Sequence, residues 1–204
     1  MRLIYVMDSM CGWCYGFQPE LDEFLALHPD ARVDWIMGGL APDTDQPMDE
    51  GLKQTISSYW YQIEQRTRVS FNHDFWKLNT PYRSTYPACR AVIAAERIKP
   101  GSAGQMVKAI QSAYYLNAQN PALQDTLVGC ALSIGLNDTE FLQVLTSDET
   151  TPQFEQHLRI TQQLQVRGFP ALFYLHNDNQ LYPLALGFST ANNLLQQFNR
   201  ITAK

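Results

Sequence analysis

Two cysteines near the start of the chain, Cys11 and Cys14, have the types and spacing for thiol chemistry. The apolar run 3–7 before them predicts a buried strand, and apolar residues from Phe17 onward recur at helical spacing. A CxxC between a strand and a helix places its first sulfur at the helix N-terminus, where free N–H groups and the helix dipole favour an anion. We therefore predict that Cys11 is the nucleophilic thiolate. Cys14, one turn further on, would attack the mixed disulfide at Cys11 and release the bound partner.

Two other interpretations of this pair compete with redox chemistry. A zinc site needs two further ligands, but Cys89 and Cys130 are isolated and the four histidines show no ligand spacing, so we predict no metal. Two inert core cysteines are disfavoured by the strand–CxxC–helix context. Cys89 and Cys130 lie on apolar helix faces and are predicted to be buried small hydrophobic residues, with a regulatory second pair as the alternative.

Pro170, which follows Gly168 and Phe169, is the second feature with chemical meaning. In thioredoxin-like folds a cis proline before this strand faces the disulfide, and the residue before it offers backbone groups to an extended peptide. We predict that Trp13, Phe169 and Pro170 bind substrate, with simple packing as the alternative for the two aromatic residues. Asp8 is either a loop acid or a group that exchanges a proton with Cys14.

The elements around these residues follow a β–α–β … β–β–α order. Residues 33–36 predict a second strand, 171–175 and 180–186 a hairpin, and 189–201 a last helix. Pro183 favours an edge position for the last strand. The fold class is therefore α/β, a thioredoxin-like fold with a large all-helical insertion. We expect residues 1–40 and 150–204 to form the thioredoxin-like domain and 41–149 the inserted helical domain.

Several details of the helical regions are predicted as well. Asp138, Thr151 and Ser189 are candidate N-caps, and 71–83 is expected to be irregular. Aromatic residues cluster in the insertion and form either core or a ligand cleft against the thioredoxin half; they are Tyr59, Trp60, Tyr61, Phe71, Phe75, Trp76 and Tyr82.

Composition limits the function classes. The chain has 204 residues, 45% of them hydrophobic, which is enough for a substantial core and excludes global disorder. A net charge of -5 argues against nucleic acid as the main partner. Four cysteines are too few for a disulfide scaffold. We find no secretory signal and no apolar stretch of about 18 residues, and we expect a cytoplasmic protein without a membrane span.

The segments around the two features resemble a known family. Residues 8–17 (DSMCGWCYGF), together with 168–171 (GFPA), are similar to the DsbA-like thioredoxin-fold family. The resemblance points to its cytosolic branch, which includes FrnE-type oxidoreductases, the kappa-class glutathione transferases and the related 2-hydroxychromene-2-carboxylate isomerases. It extends over nearly the whole chain and implies the helical insertion, which is the architecture of that family.

The resemblance implies a protein thiol–disulfide oxidoreductase that acts on protein or peptide thiols and disulfides, with no built-in cofactor and glutathione as a potential co-substrate. The alternative is a glutathione-dependent transferase or isomerase acting on a small aromatic substrate. A third class is a binding protein whose CxxC is static. Kappa-class enzymes carry Ser where this chain has Cys11, which favours dithiol chemistry. Members of this branch often have Pro at the position of Gly12. Since this residue affects the reduction potential, the sequence leaves open whether the protein acts as an oxidant or as a reductant.

Overall fold

The computed structural model describes residues 1–203, which fold around a four-stranded mixed sheet. Its strands are β1 (Arg2–Met7), β2 (Arg32–Met37), β3 (Ala171–Leu175) and β4 (Leu181–Leu186), arranged in the order β2-β1-β3-β4. β1 and β2 are parallel, whereas β3 is antiparallel to both β1 and β4. The predicted β–α–β and β–β–α halves are confirmed, and Pro183 lies on the edge strand β4, where proline is tolerated.

Among residues 1–203, the segment between β2 and β3 is helical, as predicted for the insertion. The helices are α1 (Gly12–Ala26), α2 (Glu50–Arg66), α3 (Phe75–Leu78), α4 (Tyr86–Ile98), α5 (Ala103–Gln111), α6 (Gln124–Ser133), α7 (Asp138–Leu145), α8 (Thr150–Gln163) and α9 (Ala191–Thr202). α5 continues into a π-helical turn, Ser112–Leu116. The short helix α3 lies in the segment that was expected to be irregular.

Both faces of the sheet are covered. On one face, Leu3, Tyr5 and Met7 of β1 join a cluster of buried side chains that continues into the helices between β2 and β3. On the other face, Val6 and Ile36 lie in a smaller cluster with residues of β3, against the C-terminal part of α8. Burial on both sides explains why β1 is a nearly continuous apolar run rather than an alternating one. The division into 1–40 with 150–204 and 41–149 stays a prediction.

The N-caps of three helices differ from the predicted residues. The N-cap of α8 is Glu149, so Thr151 lies within the first turn of the helix. α7 is capped by Asn137, whose side chain accepts a hydrogen bond from the N–H of Glu140, so Asp138 is the first helical residue. α9 is capped by Thr190 instead of Ser189. Neighbouring polar residues have nearly equal cap propensities, and backbone geometry decides between them.

Candidate active site

The first cysteine sits at the junction where β1 leads into α1. Cys11 is the N-cap of α1, with extended backbone angles (φ -85°, ψ 116°), and its carbonyl accepts the first helical hydrogen bond, from Tyr15 N at 3.1 Å. Its own N–H donates to the carbonyl of Asp8 at 3.0 Å, which fixes the turn. The Cys11 side chain thus lies at the positive end of a 15-residue helix and is 7% exposed.

The second cysteine lies inside the protein. Cys14 is fully buried in the first turn of α1. Burial raises the pKa of the Cys14 thiol well above its ordinary value, and the neighbouring Cys11 raises it further. Both cysteines are free thiols. One thiol therefore reaches the surface while its neighbour is held protonated below it, so the two differ in accessibility.

The loop before β3 closes over the first sulfur. The Cys11 thiol donates to the carbonyl oxygen of Phe169 at 3.9 Å, and the peptide bond between Phe169 and Pro170 is cis. The Phe169 ring lies directly on Gly38, where a Cβ atom would stand 2.2 Å from ring atom Cε1. Glycine at position 38 therefore lets the ring settle against the end of β2 and sets the position of the loop.

A buried carboxylate lies beneath the cysteine turn. Asp8 is fully buried, and its Oδ1 accepts from Met10 N at 2.8 Å. Its Oδ2 accepts from Leu40 N at 2.7 Å, from the Thr85 hydroxyl at 2.6 Å and from the Cys89 thiol at 3.5 Å. Burial nevertheless outweighs these four donors and raises the pKa of Asp8. A carboxylate at this depth with a raised pKa is suited to hold or accept a proton.

Sequence reasoning missed the partners of Asp8. Thr85 and Cys89 lie on the N-terminal side of α4, 77 and 81 residues away, and no local pattern marks them. Cys89 is buried, as predicted, but its thiol is a hydrogen-bond donor to Asp8, so it is more than a small hydrophobic residue. Cys130 lies on α6, where burial raises its pKa to about 11.

Trp13 follows the first cysteine on α1 and is half-buried. Its ring centroid is 6.1 Å from that of Phe188, in the loop after β4. Gly12 faces the insertion instead, since a Cβ atom there would stand 2.8 Å from Cδ1 of Ile63. The CxxC turn is thus held between the last loop of the thioredoxin half and helix α2.

The aromatic residues of the insertion form core. Trp60, Phe71 and Phe75 are buried, and the rings of Trp60 and Phe71 stack with centroids 4.9 Å apart. Tyr59 and Tyr61, which flank Trp60 in α2, are about half exposed. Most of this set therefore stabilises the insertion by packing, which favours the core interpretation over the cleft.

A small cavity adjoins the cis-proline loop. It has a volume of about 290 Å³ and is lined by residues 166–169 together with Leu186 and Gly187. Leu186, at the end of β4, is 70% exposed. Among residues 1–203, no group of three or more His, Cys, Asp or Glu side chains is placed to hold a metal ion. Over the same residues, no helix combines the length and apolar character that crossing a bilayer requires.

Fold and site together define the class of thioredoxin-fold proteins with a CxxC at the start of the first helix and a proline loop facing it. Within that class, residues 2–199 match the model of the DSBA-like thioredoxin domain family, and the chain belongs to this family.

Three similar proteins illustrate the likeness. The ClpXP adapter protein SpxH of Halalkalibacterium halodurans is 26% identical over 184 residues. That alignment covers 88% of this chain and 60% of SpxH, so the chain spans about three fifths of the length of this curated relative. A Nitrosomonas europaea protein, proposed to be a protein disulfide isomerase, is 25% identical with a TM-score of 0.88, over 99% of this chain and 97% of that one.

The third is the cytosolic disulfide reductase DsbM of Pseudomonas aeruginosa, 24% identical with a TM-score of 0.82 over the full length of both chains. DsbM has also been solved with GSH, and that structure superposes with a TM-score of 0.80 over 100% of this chain and 98% of that one. The solved structures agree with the fold described above, and membership of the family supports a thiol–disulfide oxidoreductase in general terms.

Proposed function

We propose that this protein catalyses thiol–disulfide exchange on protein or peptide substrates through Cys11 and Cys14. The observation that carries the proposal is the asymmetry of the pair. Cys11 is the partly accessible N-cap of α1 and contacts the Phe169 carbonyl, whereas Cys14 is fully buried one turn below. Attack and resolution need this division of accessibility, because the second sulfur must reach the first one without meeting the substrate.

In the reducing direction, the Cys11 thiolate attacks one sulfur of a substrate disulfide. An S–S bond forms between enzyme and substrate, and the other substrate sulfur leaves as a thiolate. Cys14 then loses its proton and attacks the Cys11 sulfur, which releases the second substrate thiolate and leaves a Cys11–Cys14 disulfide. The enzyme dithiol loses two electrons and the substrate disulfide gains them. The oxidising direction reverses these steps.

The proton on Cys14 is the obstacle in the second step, because burial raises the pKa of this thiol. Asp8 lies below the same turn, and its negative charge raises the pKa of Cys14 further. We assign to the Asp8 carboxyl the role of a general base that takes up this proton while Cys14 attacks. Its raised pKa and its buried donors favour this role over that of a simple loop acid.

The substrate is proposed to lie along Trp13, Phe169 and Pro170. Phe169 and Trp13 are half-buried, and the small cavity lined by residues 166–169 continues this surface. An extended peptide would align its backbone with residues 168–169 while its sulfur meets Cys11, as in strand addition. Glutathione is a short peptide thiol of the same chemistry, and the DsbM structure solved with GSH supports it as a recycling partner.

The proposed location is the cytosol, supported by the likeness to a reductase described as cytosolic. In that compartment, glutathione would reduce the Cys11–Cys14 disulfide after each turnover. The division into a thioredoxin-like domain (1–40, 150–204) and a helical insertion (41–149) fits this proposal, because α2 of the insertion packs against the CxxC turn at Gly12.

The test is reduction of insulin disulfides with glutathione and glutathione reductase as the recycling system. We expect activity in the wild type and in Cys130→Ser, a control on α6, and complete loss in Cys11→Ser. Equal activity of Cys11→Ser would refute the proposal. The reduction potential of the pair then decides the direction, since about -270 mV is typical of reductants and about -120 mV of oxidants. Conjugation of glutathione to a chlorinated aromatic compound by the wild type would instead support the transferase alternative.

A further inference from the structure

Strand β2 forms an edge of the sheet, and one side of its backbone faces away from β1. The N–H of Arg32 donates to Met1 O at 2.9 Å, and that of Gly38 donates to Met7 O at 2.7 Å. Because alternate residues of a strand direct their backbone groups to opposite edges, the groups of 33, 35 and 37 point outward.

Only one end of this outer edge is occupied within the described chain. The N–H of Met37 donates to His157 Nδ1 at 3.1 Å. The N–H groups of Val33 and Trp35 make no hydrogen bond within residues 1–203. Natural proteins usually cover or charge such an edge, because unpaired backbone groups are a template for another strand. Here His157 closes one end and leaves the preceding residues free.

The free edge lies at the floor of a second cavity, whose lining includes no residue of the CxxC turn. This cavity has a volume of about 920 Å³, near the upper end of ligand sites. One wall is α8, with His157 and Ile160, and the other is formed by α4 and α5, with Val92 and Ala103. This arrangement suits an extended chain. Its backbone can pair with the free N–H and C=O groups of β2, while its side chains point alternately toward the two mostly apolar walls.

The charges at the opening indicate what such a chain should carry. Asp34 is paired with Arg2 at 2.6 Å, and the Glu96 carboxylate accepts from two backbone N–H groups. Arg97 is paired with Glu149. Arg32, exposed at the start of β2, has no ion-pair partner among residues 1–203. At the end of the cleft opposite His157, Arg32 is therefore a cation without an acidic partner among residues 1–203, whereas the Glu96 carboxylate is held by backbone donors.

We propose that the cleft between α8 and α4–α5 binds an extended polypeptide segment of a partner protein, which adds to the outer edge of β2 as a fifth strand and places an acidic side chain against Arg32. The segment pairs with the backbone groups of Val33 and Trp35. This site is separate from the cysteines and does not depend on the exchange activity proposed above.

The test uses an acetylated and amidated hexapeptide of sequence Glu-Val-Thr-Val-Thr-Val, titrated into the ¹⁵N-labelled full chain. We expect chemical-shift changes and slowed hydrogen exchange at the amides of Val33 and Trp35. The same peptide N-methylated at alternate amides should bind at least tenfold more weakly, because it cannot form the ladder. Absence of binding at millimolar peptide, equal binding of the methylated form, or shifts confined to 166–169 would each overturn the proposal.

Two variants locate the contacts on the protein. Val33→Pro removes one outward N–H without touching the pairing with β1 and should weaken binding about fivefold. Arg32→Gln should weaken binding of the acidic peptide and reduce its salt dependence, whereas Arg66→Gln, exposed on α2, should not. The ¹⁵N spectrum of Val33→Pro away from residues 32–37 serves as the folding control.

Discussion

The sulfur of Cys11 lies 3.9 Å from the carbonyl oxygen of Phe169, although 158 positions separate the two residues in the chain. The contact joins the start of α1 to the loop before β3, and the antiparallel pairing of β1 with β3 brings these segments together. A disulfide formed at Cys11 must therefore project along the 168–170 loop. The contact therefore sets where a substrate bound to Cys11 lies on the protein surface.

Cys14→Ser should accumulate mixed disulfides with substrate, whereas Cys11→Ser should accumulate none. The resolving attack on the Cys11 sulfur comes from Cys14, so its removal stops the reaction after the first step. Non-reducing electrophoresis and mass spectrometry of each variant after incubation with oxidised insulin measure the trapped species. Mixed disulfides on Cys14 in the Cys11→Ser variant would reverse the assigned roles.

Alkylation of the folded protein should label Cys11 first and leave the other cysteines largely unmodified. Burial raises the pKa of Cys14 and Cys89 well above the ordinary thiol value and that of Cys130 to about 11. Because the thiolate is the reactive form, these three should react at least tenfold more slowly than they do in urea. A timed iodoacetamide pulse with peptide mapping measures each rate, and the unfolded chain is the reference. Uniform labelling of all four in the folded state would contradict the structure.

Gly38→Ala should lower exchange activity without removing either cysteine. A Cβ atom at this position would overlap the Phe169 ring, so the loop facing Cys11 must shift. We expect a severalfold fall in kcat/KM for insulin and a loss of about 1–3 kcal/mol in the free energy of unfolding. Gly129→Ala is the matched control, because its Cβ meets nothing within 4 Å on α6 and should stabilise the helix by up to about 1 kcal/mol. Unchanged activity of Gly38→Ala would show that the loop position is not critical.

The fold could be predicted from the sequence because its signals are local. The apolar run of β1, the CxxC that follows it and the hairpin before α9 each lie within a few residues, and their order implies the topology. The helical nature of the insertion could be predicted as well, but the caps at Asn137 and Thr190 could not. Cap choice depends on backbone angles that adjacent polar residues do not encode.

The candidate site could be predicted only in part, because several of its contacts join residues that are distant in the sequence. Cys11, Cys14 and Pro170 lie in short motifs that carry their own meaning. The contacts of Asp8 with Thr85 and Cys89 join β1 to α4 of the insertion, and only the tertiary packing of the two creates them. Gly38 likewise has no signal in its own segment, because its role appears only when Phe169 is placed on it.

Thr85→Val should destabilise the protein although it preserves the shape of the side chain. The Thr85 hydroxyl donates to Asp8 and accepts from the N–H of Ala41 at 3.1 Å, so its removal leaves two buried groups short of a partner. We expect a loss of about 1–3 kcal/mol in the free energy of unfolding, measured by urea denaturation. Thr139→Val, exposed in the first turn of α7, should change it by less than about 0.5 kcal/mol. Equal losses in the two variants would show that the hydrogen bonds of Thr85 to Asp8 and Ala41 do not stabilise the protein.

The stability of the wild type relative to Asp8→Asn should fall as the pH rises from about 4. Burial raises the pKa of Asp8 in the folded protein above 3.8, its value in the unfolded chain, so the folded state holds this proton more tightly. The stabilising contribution is therefore fully present below pH 3.8 and is lost as the pH rises through the folded pKa. Between the two values the difference should change by about 1.4 kcal/mol per pH unit.

Urea denaturation of both proteins at intervals between pH 3.5 and about 8 measures this difference, with Asp125→Asn on α6 as the baseline substitution. His157, whose pKa burial lowers, is present in every variant, so its contribution cancels. An amide at position 8 cannot make all the hydrogen bonds of the carboxyl. This loss changes the difference in unfolding free energy by the same amount at each pH, so the dependence of the difference on pH is unaffected. A wild type that gains stability over Asp8→Asn as the pH rises would mean that the four donors outweigh burial, and Asp8 would then be too weak a base to take the proton of Cys14.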